Sequence, residues 1–253
     1  MDVLAHQRAA YRRDGFAVLP RWLDVRARTR LRAIVDRAAE RCAGPCPEDT
    51  TNLAYLTDPR WFAGRDGDLR ELLGWVARAT ADAALIAGDT AIFVNTQYFS
   101  EPRARSWNGD WHRDCQFMRG FAGEDAIRSA SHGLHLRVAL VDDDHLEIAP
   151  GSHARADTPE ESRARRERLD VAVPARRIAL RAGDGLLFHA WSVHRGRYLT
   201  GAPRRTFDLV LALGDGCRDC PPDCFPPPPP LMGLRADAQR FFRRSLRANG
   251  QTP

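Results

Sequence analysis

The sequence contains no lysine, so arginine supplies all 38 of its Lys+Arg positions. That absence removes whole reaction classes: a phosphate loop ending in Gly-Lys, a pyridoxal Schiff base and a Ser-Lys nucleophile pair all need the missing amine. Long hydrophobic runs are missing too. No segment approaches the roughly 18 apolar residues of a membrane span, and the opening "MDVLAHQRAAYRRDGF" has no apolar stretch suited to a signal peptide. The protein is therefore read as cytoplasmic, with no membrane partner. The balance of +5 and a pI near 9.1 raise the question of nucleic acid. Yet the most basic segment, "ESRARRERLD" (161–170), interleaves its arginines with Glu161, Glu167 and Asp170. It reads as a solvated helix face, and no zinc-finger or RNA-binding aromatic pattern accompanies it.

At 253 residues with 43% hydrophobic content, the chain can bury a sizeable core, and it is read as a single domain, 1–253. Residues 1–88 form a mostly helical support. Helices are predicted over 3–14, from Asp24 through Leu31, Ile34, Val35, Ala38 and Cys42, and over 68–86, with a short strand at 15–20. The character changes over 89–214. Short β-branched, aromatic or alternating runs at 90–99, 135–141, 176–182, 185–190 and 204–214 are separated by Gly, Pro and Asp turns, with one helical insertion at about 157–170. The expected fold is mainly β with packed helices: an antiparallel barrel or double-sheet jelly roll against the N-terminal helices. Residues 215–253 comprise a Cys/Pro-rich connection and a final amphipathic helix, about 234–246. Cys217, Cys220 and Cys224, with Cys42 or Cys46 as a distant fourth ligand, are compatible with zinc, disulfides or free thiols. Cys115 is expected to point away from the face of its neighbour Asp114.

Chemistry concentrates in "GDWHRDCQF" (109–117). In an extended strand, residues two apart share a face, so His112 and Asp114 can converge on one ion. His194, in "LFHAWSVHRGRY", offers the second imidazole needed for a facial triad of two histidines and a carboxylate. In "RRTFDLVLALG", Arg205 shares parity with Phe207, Leu209, Leu211 and Leu213. It is read as the inward arginine, costly unless it meets an anion, with Arg204 as its outward neighbour.

His112, Asp114, His194 and Arg205, with the "PGSH" segment and the Gly-Asp turn before "GLLFHAWSVHRG", resemble the phytanoyl-CoA dioxygenase family of Fe(II)- and 2-oxoglutarate-dependent oxygenases. The resemblance runs over about residues 90–214. It implies a double-stranded β-helix whose mouth holds Fe(II) on His112, Asp114 and His194, with 2-oxoglutarate and O2 as cosubstrates. It further implies that Arg205 pairs with the distal carboxylate of 2-oxoglutarate, aided by Gln97 or, at the same strand parity, Asn95. Related halogenases replace the carboxylate ligand by a small residue; Asp114 argues against that chemistry and leaves hydroxylation, desaturation, epimerisation or oxidative ring closure. The natural-product tailoring type it resembles implies a small-molecule substrate oxidised by hydroxylation or by oxidative cyclisation, as in orthoester or methylenedioxy bridge formation on a sugar-containing scaffold.

Other residues have simpler readings. His153 in "PGSH" is expected to brace a turn and His189 to pack. His135 and Arg137, if inward, are candidates for polar substrate groups, while Trp107, Trp111 and Trp191 flank the metal motifs, where they either pack or stack on a ring. The competing functions are a metal-dependent hydrolase on the same triad, which leaves an inward arginine without purpose, and a non-catalytic jelly-roll binding module.

Overall fold

Capping residues set the ends of the first helix and the start of the short helix at 159–166. The computed structural model describes residues 2–43, 51–117, 133–214 and 225–252, apart from the side chains of 115 and 117. Helix α1 (Val3–Asp14) starts at Asp2, whose carboxylate accepts from the Leu4 amide, and ends at Gly15 in the left-handed region at φ 83°. Helices α2 (Val25–Ala43) and α3 (Asp66–Ala87) follow. Helix α4 (Pro159–Arg166) opens on a capping box between Thr158 and Glu161, and α5 (Ala236–Ala248) closes the described chain. Among the described residues no helix is long and apolar enough to cross a membrane.

Among the described residues, ten strands make two antiparallel sheets. The larger has the order β1-β8-β5-β10-β3-β2, from Phe16–Leu19, Gly185–His189, Gly133–Ala139, Arg205–Leu213, Ala91–Ser100 and Asn52–Ala54. The smaller has the order β4-β9-β6-β7, from Trp107–Asn108, His194–Tyr198, Asp143–Ile148 and Arg176–Leu180. Phe16, Leu186 and Phe188 of the larger sheet pack on Leu146, Ile148, Ile178 and Leu180 of the smaller, so the two sheets lie face to face as in a jelly roll. The expected architecture is thus observed, and the helical support packs on the outer face of the larger sheet. Strands β6 and β9 were not among the expected runs; "DDHLEI" and "HRGRY" are too rich in charge and glycine to stand out by composition.

The main core lies outside the sandwich. Leu134, Leu136, Val138, Leu187, Phe207, Leu209 and Leu211 meet Ile34, Val35, Leu72, Leu73 and Val76 from α2 and α3. The opposite face of β10 carries Thr206 and Asp208, both fully buried. Strand β3 has an irregular register opposite Val210 and Leu211, and beyond Gln97 its other edge is not covered by β2. Helix α5 closes that edge: Ser245 Oγ accepts from the Phe93 amide at 3.2 Å and Asn249 Nδ2 donates to the Phe93 carbonyl at 3.0 Å. Phe242, 1% exposed, anchors the helix edge-on against Phe93. Phe242→Ala is expected to destabilise the protein by about 3–5 kcal/mol, read as a lower urea midpoint, with loss of the α5 contact detected as faster hydrogen exchange at the Phe93 amide.

Candidate metal centre

His112 and His194 are brought together by the backbone itself. Their amides and carbonyls exchange two hydrogen bonds, 3.0 and 2.9 Å, in an isolated antiparallel bridge, so their rings lie 4.2 Å apart. Asp114 does not continue a strand, as the two-residue spacing led one to expect. Its amide donates to Ala190 O at 3.0 Å and it begins a 3-10 turn, Asp114–Phe117, that swings its carboxylate beneath both imidazoles. Oδ1 lies 3.5 Å from His112 Nε2 and 3.6 Å from His194 Nε2, and one ligand atom from each of the three residues falls within 4.8 Å of the others.

The turn is held by Arg113, which points the opposite way and is 2% exposed. Its guanidinium donates to the carbonyls of Ser152 (2.8 Å) and Trp191 and to Asp157 (2.9 and 2.7 Å). Ser152 of "PGSH" takes the Val193 amide at 2.8 Å, one residue before His194. The segment read as a turn brace thus does support the distal histidine, although the brace is Ser152; His153 lies partly buried near His189, at a ring distance of 5.6 Å.

Electrostatics suit a cation. Nδ1 of His112 donates to Asp110 O at 2.8 Å and Nδ1 of His194 to Ser192 O at 2.9 Å, which leaves both Nε2 atoms as lone-pair donors toward the centre. Burial, reinforced by the charge of His112, pushes His194 down to about 3 and keeps it neutral. For His112 burial acts downward, but contact with Asp114 outweighs it and raises the pKa. Burial likewise opposes the Asp114 carboxylate, yet the imidazoles of His194, His135 and His112 hold it well below the usual carboxylate range. Two imidazoles and one carboxylate of this reach fit a divalent first-row metal such as iron.

The interior face of the larger sheet reverses one expectation. Arg205 lies on the helix side, paired with Glu101 and 29% exposed in its side chain, close to the Tyr98 and Asp36 pair. Arg204 is the inward arginine, 1% exposed, with its guanidinium 5.0 Å from the ring centres of both Phe99 and Tyr198. The physical reason is that Phe207, Leu209 and Leu211 face the helices, so the apolar stripe of β10 marks the outer core, and the polar parity faces the cavity.

Cross-strand register places Gln97 beside Asp208 and Asp208 beside Arg137, and Asn95 beside Val210 and Val210 beside His135. Paired residues share a face, so all of them line the interior. Asn95 Oδ1 already accepts from the Thr96 amide at 2.7 Å. Arg137 is held by Asp208 through Nε (2.8 and 3.0 Å) and Nη2 (2.7 Å), and His135 Nε2 lies 3.0 Å from Asp114 Oδ2. Trp107 stacks on Tyr198 at 4.8 Å, whereas Trp191 is 4% exposed and Trp111 packs under Arg195 and donates to Val171 O. Burial leaves neither Trp111 nor Trp191 as an open wall. His132, Cys46, Cys217, Cys220 and Cys224 lie outside the described residues, as does the Cys115 side chain; Cys42 Sγ lies 3.8 Å from Ala54 O. Sequence reasoning read Arg204 as outward and assigned no role to Asp208, Arg113 or Tyr198. Only Asp208, the one acid within the apolar run Phe207–Leu213, carried a signal.

The phytanoyl-CoA dioxygenase (PhyH) profile matches residues 11–206, well over half of the chain. Among solved structures, the carbocyclase SnoK from nogalamycin biosynthesis, described as non-heme and alpha-ketoglutarate dependent, matches with TM-score 0.62 at 20% identity, covering 85% of this chain and 86% of its own. AviO1 from Streptomyces viridochromogenes Tue57 matches with TM-score 0.62 at 22% identity, over 87% of this chain and 100% of its own. The epimerase SnoN, crystallised with Fe3+, alpha-ketoglutarate and nogalamycin RO, matches with TM-score 0.55 at 22% identity, over 83% of each chain. At such identities the likeness is one of fold. No curated protein sequence matches the chain.

Arg113→Ala removes the donors of the Ser152 and Trp191 carbonyls and leaves Asp157 to Arg165 alone. It is expected to destabilise the fold by about 3–5 kcal/mol in urea unfolding and to weaken divalent metal binding about tenfold or more in calorimetry.

Proposed function

Because the chain belongs to the phytanoyl-CoA dioxygenase family, we propose that His112, Asp114 and His194 hold its iron and that the enzyme oxidises a C–H bond of a small-molecule natural product. The chain is an iron(II)- and 2-oxoglutarate-dependent dioxygenase that uses O2. The observation that carries the assignment is the convergence of these three side chains, with both Nε2 atoms directed by the carbonyls of Asp110 and Ser192. Bound there, iron with 2-oxoglutarate and O2 supplies an oxidant able to remove a hydrogen atom, with succinate and CO2 as coproducts.

The chain's own residues supply position and charge. Arg204 takes the role that the family resemblance gave to Arg205: a buried guanidinium whose Nε has no hydrogen bond meets the distal carboxylate of 2-oxoglutarate. The nearest acid, Asp143, stands 3.5 Å from that Nε and is shared with His145 at 3.0 Å. Gln97, on the same interior face, and the unpartnered hydroxyl of Thr206 add polar contacts. A hydrolase on the same triad would leave Arg204 unused.

The substrate reading rests on the edge of the smaller sheet. Trp107 and Tyr198 stack with rings 18° from parallel and present a partly exposed flat surface suited to a sugar or other ring. Likeness of fold to a carbocyclase and an epimerase of nogalamycin biosynthesis supports natural-product tailoring, with hydroxylation or oxidative cyclisation, including orthoester or methylenedioxy bridge formation on a sugar-containing scaffold, as the reaction. Asp114 fills the carboxylate position and argues against halogenation.

Anaerobic addition of Fe(II) and then 2-oxoglutarate is expected to produce a visible charge-transfer band. Asp114→Ala is expected to abolish it, Arg204→Ala to raise the 2-oxoglutarate Kd tenfold or more, and Arg205→Ala to leave it within about twofold. A larger loss in Arg205→Ala than in Arg204→Ala would overturn the assignment of the inward arginine.

A further inference from the structure

Beneath Arg204 lies a second buried arginine for which the reaction has no evident use. Arg137 is 3% exposed, and its guanidinium sits 4.8 Å from the centre of the Phe99 ring, the same ring that Arg204 approaches at 5.0 Å. Asp208, 0% exposed, grips the Nε and Nη2 edge of Arg137 and leaves Nη1 buried with no partner. A structural ion pair has no need to leave such a donor unsatisfied, because a buried N–H without an acceptor is costly. Phe188 links this pair to the metal centre: it lies 5.7 Å from Arg137 and edge-on to His194 at 5.3 Å.

Resting on the cosubstrate reading of Arg204, we propose that Arg137, aimed by Asp208, is a second arginine of the same carboxylate clamp. Two guanidiniums around Phe99, each with an unsatisfied N–H, bind the distal carboxylate of 2-oxoglutarate between them. Asp208 is then a positioning residue: it neutralises Arg137 in the empty pocket and turns the Nη1 edge toward the ligand. The cost of bringing two like charges together is visible on Arg204, whose pKa is lowered by burial and next by the charge of Arg137. A carboxylate placed between the two relieves that repulsion. The pocket therefore discriminates a 2-oxo acid with a second carboxylate from one without it.

The test is a comparison of two 2-oxo acids in the Fe(II)-loaded enzyme without O2, followed by the charge-transfer band. The wild type is set against Arg137→Leu/Asp208→Leu, an apolar exchange of a buried ion pair of the kind that usually folds, and against Arg137→Met/Asp208→Asn should that variant not be soluble. The expected result is a tenfold or greater rise in Kd for 2-oxoglutarate in the double variant and a change within twofold for 2-oxobutyrate, which lacks the distal carboxylate. Retention of 2-oxoglutarate affinity within twofold would overturn the clamp and leave Arg137–Asp208 as a structural pair. Equal losses for both acids would overturn it too, since a distorted pocket does not distinguish the far carboxylate. Absence of any band with 2-oxoglutarate in the wild type would instead remove the cosubstrate reading on which the clamp rests.

Discussion

The reciprocal backbone bridge between His112 and His194 is the constraint around which the site is organised. Two hydrogen bonds fix one imidazole over the other before any side-chain interaction is counted. Everything near it maintains that pairing. Asp114 hangs from the Ala190 carbonyl, Ser152 holds the Val193 amide, and Arg113 ties the loop to the carbonyls of Ser152 and Trp191. The charged residue at the centre of "HRD" thus acts as a fastener whose five donors are spent on a backbone cage and Asp157. Its neighbours on either side are free to face a metal because it faces away.

A second constraint is the division of the larger sheet into two faces of opposite character. The helices α1 to α3 take the leucine-rich parity of β5, β8 and β10 and form the main core with it. The interior parity is then released from carrying stability and holds His135, Arg137, Asp208, Thr206 and Arg204, all buried. Charges there are compensated pairwise, Arg137 by Asp208 and Arg204 by Asp143, at the expense of desolvation. Such an interior is adapted to an anionic guest beside a metal. The apolar cluster of Phe16, Leu146, Ile148, Ile178, Leu186 and Phe188 joins the two sheets where the polar groups leave off.

Much of this was legible in the residues. Helical periodicity located α1, α2, α3 and α5 to within a few residues, and the strand-like runs at 90–99, 135–141, 176–182, 185–190 and 204–214 correspond to β3, β5, β7, β8 and β10. His112, Asp114 and His194 were legible as a donor set of the right chemistry. Strands β6 and β9 were not, because their composition is polar and their pairing is provided by neighbours. Arg204 was hidden for a related reason: alternation in β10 separates two faces without saying which is inside.

What the sequence determined alone is therefore local and chemical: the residue types able to bind a metal and an anion, the absence of any lysine chemistry, the periodicity of the main helices and the alternation of β10. What only the tertiary structure decided is orientation. Period-two alternation is symmetric between the two sides of a sheet, and that symmetry is broken only when helices cover one side and a second sheet the other. For this chain the helices took Phe207, Leu209 and Leu211, and so Arg204 rather than Arg205 was turned into the cavity.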